Sequence, residues 1–300
     1  MALRTLAKAA RHPEYQYLHL IEDIMRTGEI VEGRNGITRS IFGAAMRFPL
    51  TNNAIPLLTT KKLAWKTCLK ELLWFINGST DNTLLKSQNV HIWDKNGERT
   101  FLDQRGLSHY RIDDLGPIYG HQWRHFNAPY VDAQTDYERQ GVDQLQYIID
   151  ALNHPEERYS RRLILSAWNP MQLSEMALPP CHILMQFNVN EKDELSCCLY
   201  QRSGDVGLGV PFNIASYSFL THILAKHCDL HAKEFIHFIG NAHIYNNHME
   251  ALEEQIQRTP VPFPSLKIAK KESNIDHYTI EHFEILNYSP NLGIKMDMVA

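Results

Sequence analysis

The sequence predicts a single α+β domain, and three observations predict it. Segments with helical spacing of apolar residues alternate with strand-like segments, but without the regular strand–helix–strand order of a doubly wound sheet. Composition does not shift along the chain, and no long linker or internal repeat of roughly 20–50 residues interrupts it. The length of 300 residues is enough for one large domain. Taken in order, Tyr17, Leu20, Ile21, Ile24 and Met25 carry helical spacing, with Gly28 as the stop. A strand is expected over 39–48, with Phe42, Ala44, Met46 and Phe48 on one face. Trp65, Leu69, Leu72, Leu73 and Ile76 mark an amphipathic helix ended by Asn77-Gly78. Residues 94–117 are polar and Gly-rich, which predicts a long surface loop. Val142, Leu145, Ile148, Ile149 and Leu152 predict a helix that stops before Pro155.

The second half is richer in strands. Residues 162–168 predict one. Ile183, Met185, Phe187 and Val189 alternate with polar neighbours and predict another, half-buried. Glu191-Lys-Asp-Glu194 is a polar turn from which 195–202 runs back. A mostly apolar, buried helix is expected from Pro211 to about Asp229. A strand over 234–239 follows, then a helix carrying Tyr245, Met249, Leu252 and Ile256. Pro260-Val-Pro-Phe-Pro264 breaks that helix and leads into short C-terminal strands.

Composition bounds the function. Hydrophobic residues are 44% and charged residues 21%, as in folded soluble proteins. Thirty Lys+Arg against 34 Asp+Glu give a net charge of −4, so there is no general attraction for polyanions. An anionic substrate therefore needs a local arginine cluster. No apolar run approaches the roughly 18 residues of a membrane span, and the N-terminus is too polar for a signal peptide. Five cysteines without disulfide spacing point to a reducing cytosol.

The predicted hairpin has a chemical consequence. With its turn near Lys192 and Asp193, Cys181 falls at the same sheet end as Arg202 and Ser203, offset by about two residues or ~7 Å. A thiol held near a guanidinium is favoured as thiolate, hence a candidate nucleophile rather than a core thiol. Pro179-Pro180 fixes the approach to Cys181, and His182 is expected on the opposite face. Arg161 and Arg162, as strand neighbours, face opposite ways and read as solvated charges or as an anion clamp. Gly204 to Gly209 lacks the setting of a nucleotide-binding glycine loop. His227, Cys228 and His231 are read as a helix-end cluster rather than metal ligands, and no metal is expected. Glu71 is either an interfacial surface residue or a carboxylate kept for proton work.

Taken together, Arg161-Arg162, Leu178-Pro-Pro-Cys181-His182, Gln201-Arg-Ser-Gly-Asp205 and Leu208-Gly-Val-Pro-Phe-Asn213 resemble thymidylate synthase. The resemblance continues through Ala242-His243-Ile-Tyr245-Asn-Asn-His248, Pro56-Leu-Leu-Thr-Thr-Lys61, Glu71-Leu-Leu-Trp74 and Gly116-Pro-Ile-Tyr119-Gly, and covers about 15–300. It implies a large mixed sheet flanked by helices, one domain over 1–300, and no separate reductase domain within those residues. The segment from Arg99 to Asp114 resembles the insertion of the animal-type enzymes, which implies a eukaryotic or large-virus source.

The resemblance further implies methylation of dUMP to dTMP with 5,10-methylenetetrahydrofolate as cosubstrate. Cys181 would add to uracil C6, Arg202 would lower the thiol pKa and contact phosphate, and Asn213 would read the uracil edge. Arg34, Gln201, Ser203, Asp205, His243 and Tyr245 would bind dUMP, the last two at the deoxyribose 3′ hydroxyl. Arg161 and Arg162 would act across a homodimer interface. Glu71 and Tyr119 would order water for proton transfer. Lys61, Trp93, Asn96, Asp205, Leu208, Gly209, Phe212 and Ala300 would meet the folate, with Met298-Val-Ala300 as a closing lid.

Two departures from the family pattern stand out. The phosphate loop reads Arg34-Asn-Gly-Ile-Thr-Arg39 where the family pattern is Arg-Thr-Gly-Thr-Gly-Thr, a departure that suggests a loop shortened by one residue, so Arg39 competes with Arg34 for phosphate. Asn241 stands where an aspartate is usual, which is expected to weaken the positioning of His243. The rival readings are a dCMP hydroxymethylase, against which Asn213 argues, a non-catalytic binding protein, and a cysteine hydrolase, for which His182 is badly placed. RNA binding beside catalysis is left open but has no support in the charge.

Overall fold

The computed structural model describes residues 11–33 and 36–298. Among these, eight strands run β1 (Glu29–Gly33), β2 (Gly36–Pro49), β3 (Ile164–Ser166), β4 (His182–Val189), β5 (Glu194–Asp205), β6 (His231–Tyr245), β7 (Ser265–Ile268) and β8 (Phe283–Leu286). The helices are α1 (Tyr15–Thr27), α2 (Trp65–Ile76), α3 (Asn82–Ser87), α4 (Asp94–Gly97), α5 (Arg99–Gln104), α6 (Tyr119–His125), α7 (Gln144–Asn153), α8 (Gly209–His227) and α9 (Met249–Ile256). Six strands make one mixed sheet in the order β1-β2-β6-β5-β4-β3, and β7 pairs with β8 apart from it. Only β5 and β6 are parallel. A parallel pair needs a crossover, and α8 supplies it, packing on β5, β6 and α2. Its sequence is apolar on all sides because its neighbours surround it: 15 of its residues, from Val210 to His227, are buried.

The sheet is kinked at one level. In β6, Phe235, His237 and Ile239 are buried and Phe238 is exposed; beyond Gly240 the phase slips by one, and Ala242 and Ile244 are buried. In β5, Leu199 and Gln201 are buried before Arg202, and Gly204 after it, with Val206 buried just past the strand end. β2 crosses the same level at Gly43, whose φ of +86° is open to glycine. β4 shifts register between His182 and Leu184. Gly240 is required for close approach: a Cβ there would lie 2.8 Å from the Arg202 carbonyl and 3.0 Å from Tyr200 Oη.

The kink overturns the single face expected for β2. Met46 and Phe48 are buried, but Phe42, beyond Gly43, is 84% exposed. Residues 94–117 are not a surface loop: α4 and α5 lie within them, and Leu102, Leu107, Tyr110 and Leu115 are buried. Arg99 organises this segment by donating to the carbonyls of Tyr110 and Leu107 at 2.7 and 3.0 Å. β3 is shorter than 162–168. β5 and β6 both run further than expected, so Tyr245 ends a strand rather than starting a helix. Helix α6 had no strong apolar period and went unread.

Replacing Gly240 by Ala should cost about 1–3 kcal/mol through overpacking of the kink. A Gly293→Ala control, where a Cβ meets nothing within 4 Å, should be neutral. Thermal denaturation of the pair checks this, and equal melting temperatures would overturn it.

Candidate active site

Cys181 lies one residue before β4, and the β4 bulge decides what it meets. The bulge closes the offset expected from the hairpin, so the Arg202 N–H donates directly to the Cys181 carbonyl at 2.8 Å. Arg202 Nη2 lies 3.8 Å from Cys181 Sγ. The guanidinium is held by backbone: Nε donates to the Pro180 carbonyl at 2.7 Å and Nη2 to the Pro179 carbonyl at 3.0 Å. It also lies over the Trp168 ring, 5.6 Å from the centroid. Behind Cys181, Tyr119 at the start of α6 accepts the Cys181 N–H at 2.8 Å. The Tyr119 ring stacks on His182 at 4.1 Å, and His182 Nδ1 lies 2.5 Å from Tyr217 Oη. His182 is thus engaged away from Cys181 Sγ, as its place on the strand predicts. On α2, Glu71 accepts from Trp93 Nε1 at 2.7 Å, and Trp93 meets the Tyr119 ring edge-on at 6.2 Å.

The parallel pairing of β5 with β6 brings the remaining residues to the same end. Ser203 pairs with Asn241 and Asp205 with His243, while Tyr245 closes β6. Asn241 Oδ1 sits 3.0 Å from His243 Nδ1, so the asparagine keeps the positioning bond without the carboxylate charge. From the second turn of α8, Asn213 accepts from Gln201 Nε2 at 2.9 Å.

With these residues in place, likeness to known proteins is specific. A family model for thymidylate synthase matches residues 15–300. The chain belongs to the thymidylate synthase family. It is 54% identical to a bifunctional dihydrofolate reductase-thymidylate synthase of Zea mays over 97% of this chain and 55% of that protein. It is 49% identical to the protein of that name in Leishmania major over 96% of this chain and 56% of that one. A thymidylate synthase of Human herpesvirus 8 type P (isolate GK18) is 53% identical over 96% of this chain and 85% of that protein. The chain thus spans little more than half the length of the bifunctional relatives named here.

The electrostatics around Cys181 are set by burial. Burial pushes the Cys181 thiol up, and the Arg202 charge opposes it without prevailing. The expected lowering by Arg202 is therefore present but is the smaller of the two effects. Burial also raises Glu71 to about 7, against the Trp93 hydrogen bond. It holds the Tyr119 hydroxyl neutral and lowers His182 to about 3, with His237 and Arg202 adding to the effect on His182.

The folate-site candidates surround the turn from β5 into α8. Asp205 Oδ1 accepts from the N–H groups of Gly207 and Leu208 at 2.9 and 3.3 Å, and Leu208, Gly209 and Phe212 follow, half-buried; Asn96, in α4, is half-buried as well. Lys61 is 5% exposed and donates to the Gly207 carbonyl, which places its ammonium beneath this turn rather than at the surface. Burial lowers it to about 8, with Asp205 opposing. The C-terminal segment straps across the site, through Asn291 N–H to Thr59 O at 2.8 Å and through the Asp297 carbonyl 2.7 Å from His248 Nε2. Arg39 donates to the Met25 carbonyl at 3.1 Å and so also ties down the end of α1. Arg161 and Arg162 are exposed, and neither guanidinium has a partner among the described residues. Arg34 and Ala300 lie outside the described residues. No group of three or more His, Cys, Asp or Glu among the described residues is placed to hold a metal.

Sequence reasoning missed Tyr217, Trp168 and the two proline carbonyls. Tyr217 is hidden in an apolar helix, and a backbone carbonyl leaves no residue-type signal at all.

Alkylation of Cys181 by iodoacetamide should keep accelerating as pH rises past the ordinary thiol value of 9. Arg202→Met should slow it at every pH below the plateau, because the one opposing cation is gone. Mass spectrometry of the Cys181 peptide reads both, and a plateau reached below pH 8 would overturn the assignment.

Proposed function

We propose that the chain catalyses the reductive methylation of dUMP to dTMP, with 5,10-methylenetetrahydrofolate giving both the carbon and the hydride and leaving as dihydrofolate. The observation that carries this is the meeting of Cys181, Arg202 and Asn213 in a chain matched over nearly its whole length by the family. Pyrimidine C5 is a poor nucleophile while the ring keeps its conjugation. Addition of the Cys181 thiolate to C6 removes that conjugation and makes C5 enolate-like. Arg202, already tied to Pro179 and Pro180, keeps a cation beside the sulfur and supplies N–H groups for phosphate. His243 and Tyr245 hold the 3′ hydroxyl, and Ser203 adds a phosphate hydrogen bond. Glu71, raised to about 7, changes charge near neutrality and suits proton transfer through water from C5. Trp93, Asp205, Leu208, Gly209 and Phe212 form the folate wall, with Asn96, Lys61 and Ala300 at its margins.

The working unit in this proposal is a homodimer. One sheet face is covered by α1 and α8; the other carries Phe42, Tyr200 and Phe238 at 84%, 40% and 42% exposure around one shallow apolar hollow. Contiguous apolar exposure of this kind marks an interface, and a two-fold contact uses one patch on both copies. Arg161 and Arg162, exposed beside the edge strand β3, would then complete the phosphate site of the partner copy, while Arg34 or Arg39 serves the copy's own. A reducing compartment, the cytosol or nucleus, suits five cysteines that are all free. No helix among the described residues is long and apolar enough to cross a membrane.

Dihydrofolate should form from methylenetetrahydrofolate with dUMP and not with dCMP, and formation should vanish in Cys181→Ala. Silence with dUMP, or product with dCMP, would overturn the proposal.

A Cys181→Ser variant and an Arg161→Ala/Arg162→Ala variant should each be inactive, and mixing them under subunit exchange should restore activity. The mixed dimer has one site with an intact cysteine and the partner's intact arginines. No restoration, with exchange verified by mass, would place both arginines in their own subunit's site.

A further inference from the structure

The family resemblance implies that Asn213 reads the base, but an asparagine amide can turn over, and turned over it would offer the opposite pattern of donor and acceptor. Something must forbid the flip. Gln201 and His237, at 2% and 0% exposure, lie behind Asn213 on the adjacent strands β5 and β6. Gln201 Nε2 is 2.9 Å from the Ser203 backbone carbonyl and 2.9 Å from Asn213 Oδ1, and Gln201 Oε1 is 2.8 Å from His237 Nε2.

A backbone carbonyl can only accept, so the Ser203 carbonyl fixes which end of the Gln201 amide is nitrogen. The rest follows by exclusion. Gln201 Oε1 must face His237, so His237 must carry its proton on Nε2. Gln201 Nε2 donates to Asn213, so the Asn213 atom facing it must be the oxygen. Turning Asn213 over would set two N–H donors against each other at hydrogen-bond distance, in a buried place where the loss is not made up by water. His237 Nδ1 has no hydrogen-bond partner, and burial lowers the ring to about 3, so one neutral tautomer holds across the working pH range. Asn213 Nδ2 makes no hydrogen bond among the described residues, and Oδ1 keeps a second lone pair. That pattern fits a pyrimidine edge with a carbonyl at C4 and an N–H at N3. It opposes an edge with an amino group at C4 and a bare N3.

We infer that His237 is a specificity-determining positioning residue, which acts through Gln201 to hold the Asn213 amide in the orientation that accepts 4-oxo and rejects 4-amino pyrimidine nucleotides. This rests on the nucleotide-binding reading of the site. His237 touches no substrate; it sets the direction of the group that does.

The test is the ratio of dUMP to dCMP affinity, measured by calorimetry on the full chain, together with kcat/KM for dUMP. His237→Phe removes the donor and should lower the ratio by about tenfold or more, equivalent to about 1.4 kcal/mol. His237→Gln places an amide N–H near the position of Nε2 and should restore most of it. A structural role alone would weaken both nucleotides together, so an unchanged ratio in His237→Phe overturns the inference. Should that variant fail to fold, nitrogen NMR of labelled histidine in the unaltered chain decides the matter, with the His237 signal assigned by its loss in His237→Gln. Nε2–H between about pH 5 and 8 supports the inference and Nδ1–H overturns it. Unaltered protein that does not separate dUMP from dCMP would instead refute the nucleotide reading itself.

Discussion

The constraint on which the site depends is the kink that crosses the sheet at Gly43, Gly240, Arg202 and the β4 bulge. A regular strand alternates sides without interruption, so one sheet face would have to serve both as core and as catalytic floor. The slip of one residue divides the two duties. Below it, Leu199, Gln201, His237 and Ile239 point into the core beneath α8; above it, the buried positions become Gly204, Ala242 and Ile244. Arg202, Ser203, Asp205, His243 and Tyr245 are thereby turned to the open end of the sheet as one half-buried group. The same slip in β4 makes Cys181 the direct neighbour of Arg202. Gly240 carries no side chain because the Arg202 carbonyl occupies the space a Cβ would need.

Burial is the second theme, and it runs against charge. Cys181, Glu71, Tyr119 and His182 are all displaced toward their neutral forms by the same enclosure. Arg202 is the fixed cation at the sulfur, and its field is smaller than the desolvation it opposes. Cys181 is therefore held toward its thiol form. In the proposed reaction, charge would develop in this low-dielectric space, where Arg202 and the Glu71–Trp93 pair act more strongly than they would in water.

Much of this was legible in the sequence, for identifiable reasons. α1, α2 and α7 are legible because their apolar residues recur at helical spacing and stop at Gly28, Asn77-Gly78 and Pro155, and α8 because Pro211 opens a long, mostly apolar run. β4 was read from simple alternation, and the hairpin turn then placed Cys181 at the level of Arg202. The rest depends on contacts that no local pattern encodes. Phe42 was assigned to the core face because alternation was carried through Gly43, where the chain breaks it. Residues 94–117 looked exposed because their polar side chains are many, yet Arg99 satisfies backbone carbonyls there and lets Leu102, Leu107 and Leu115 be buried. The motif residues of the site were named one by one; what holds each in its orientation was not.

That difference between having a residue and aiming it decides how the two departures from the family pattern should be weighed. In the role proposed for His243 the ring must be correctly turned toward a sugar hydroxyl, and Asn241 offers Nδ1 an oxygen at 3.0 Å just as a carboxylate would. What the substitution removes is a charge, and burial already holds His243 below the ordinary imidazole value, with only Asp205 and the bond to residue 241 opposing. A neutral ring needs an acceptor in the right place more than it needs a counterion. The geometry at His243 therefore survives the change, as the geometry at Asn213 survives only because Gln201 and a backbone carbonyl stand behind it. In both places the side chain that meets the ligand is ordinary, and its direction comes from a buried neighbour on the next strand or the next turn.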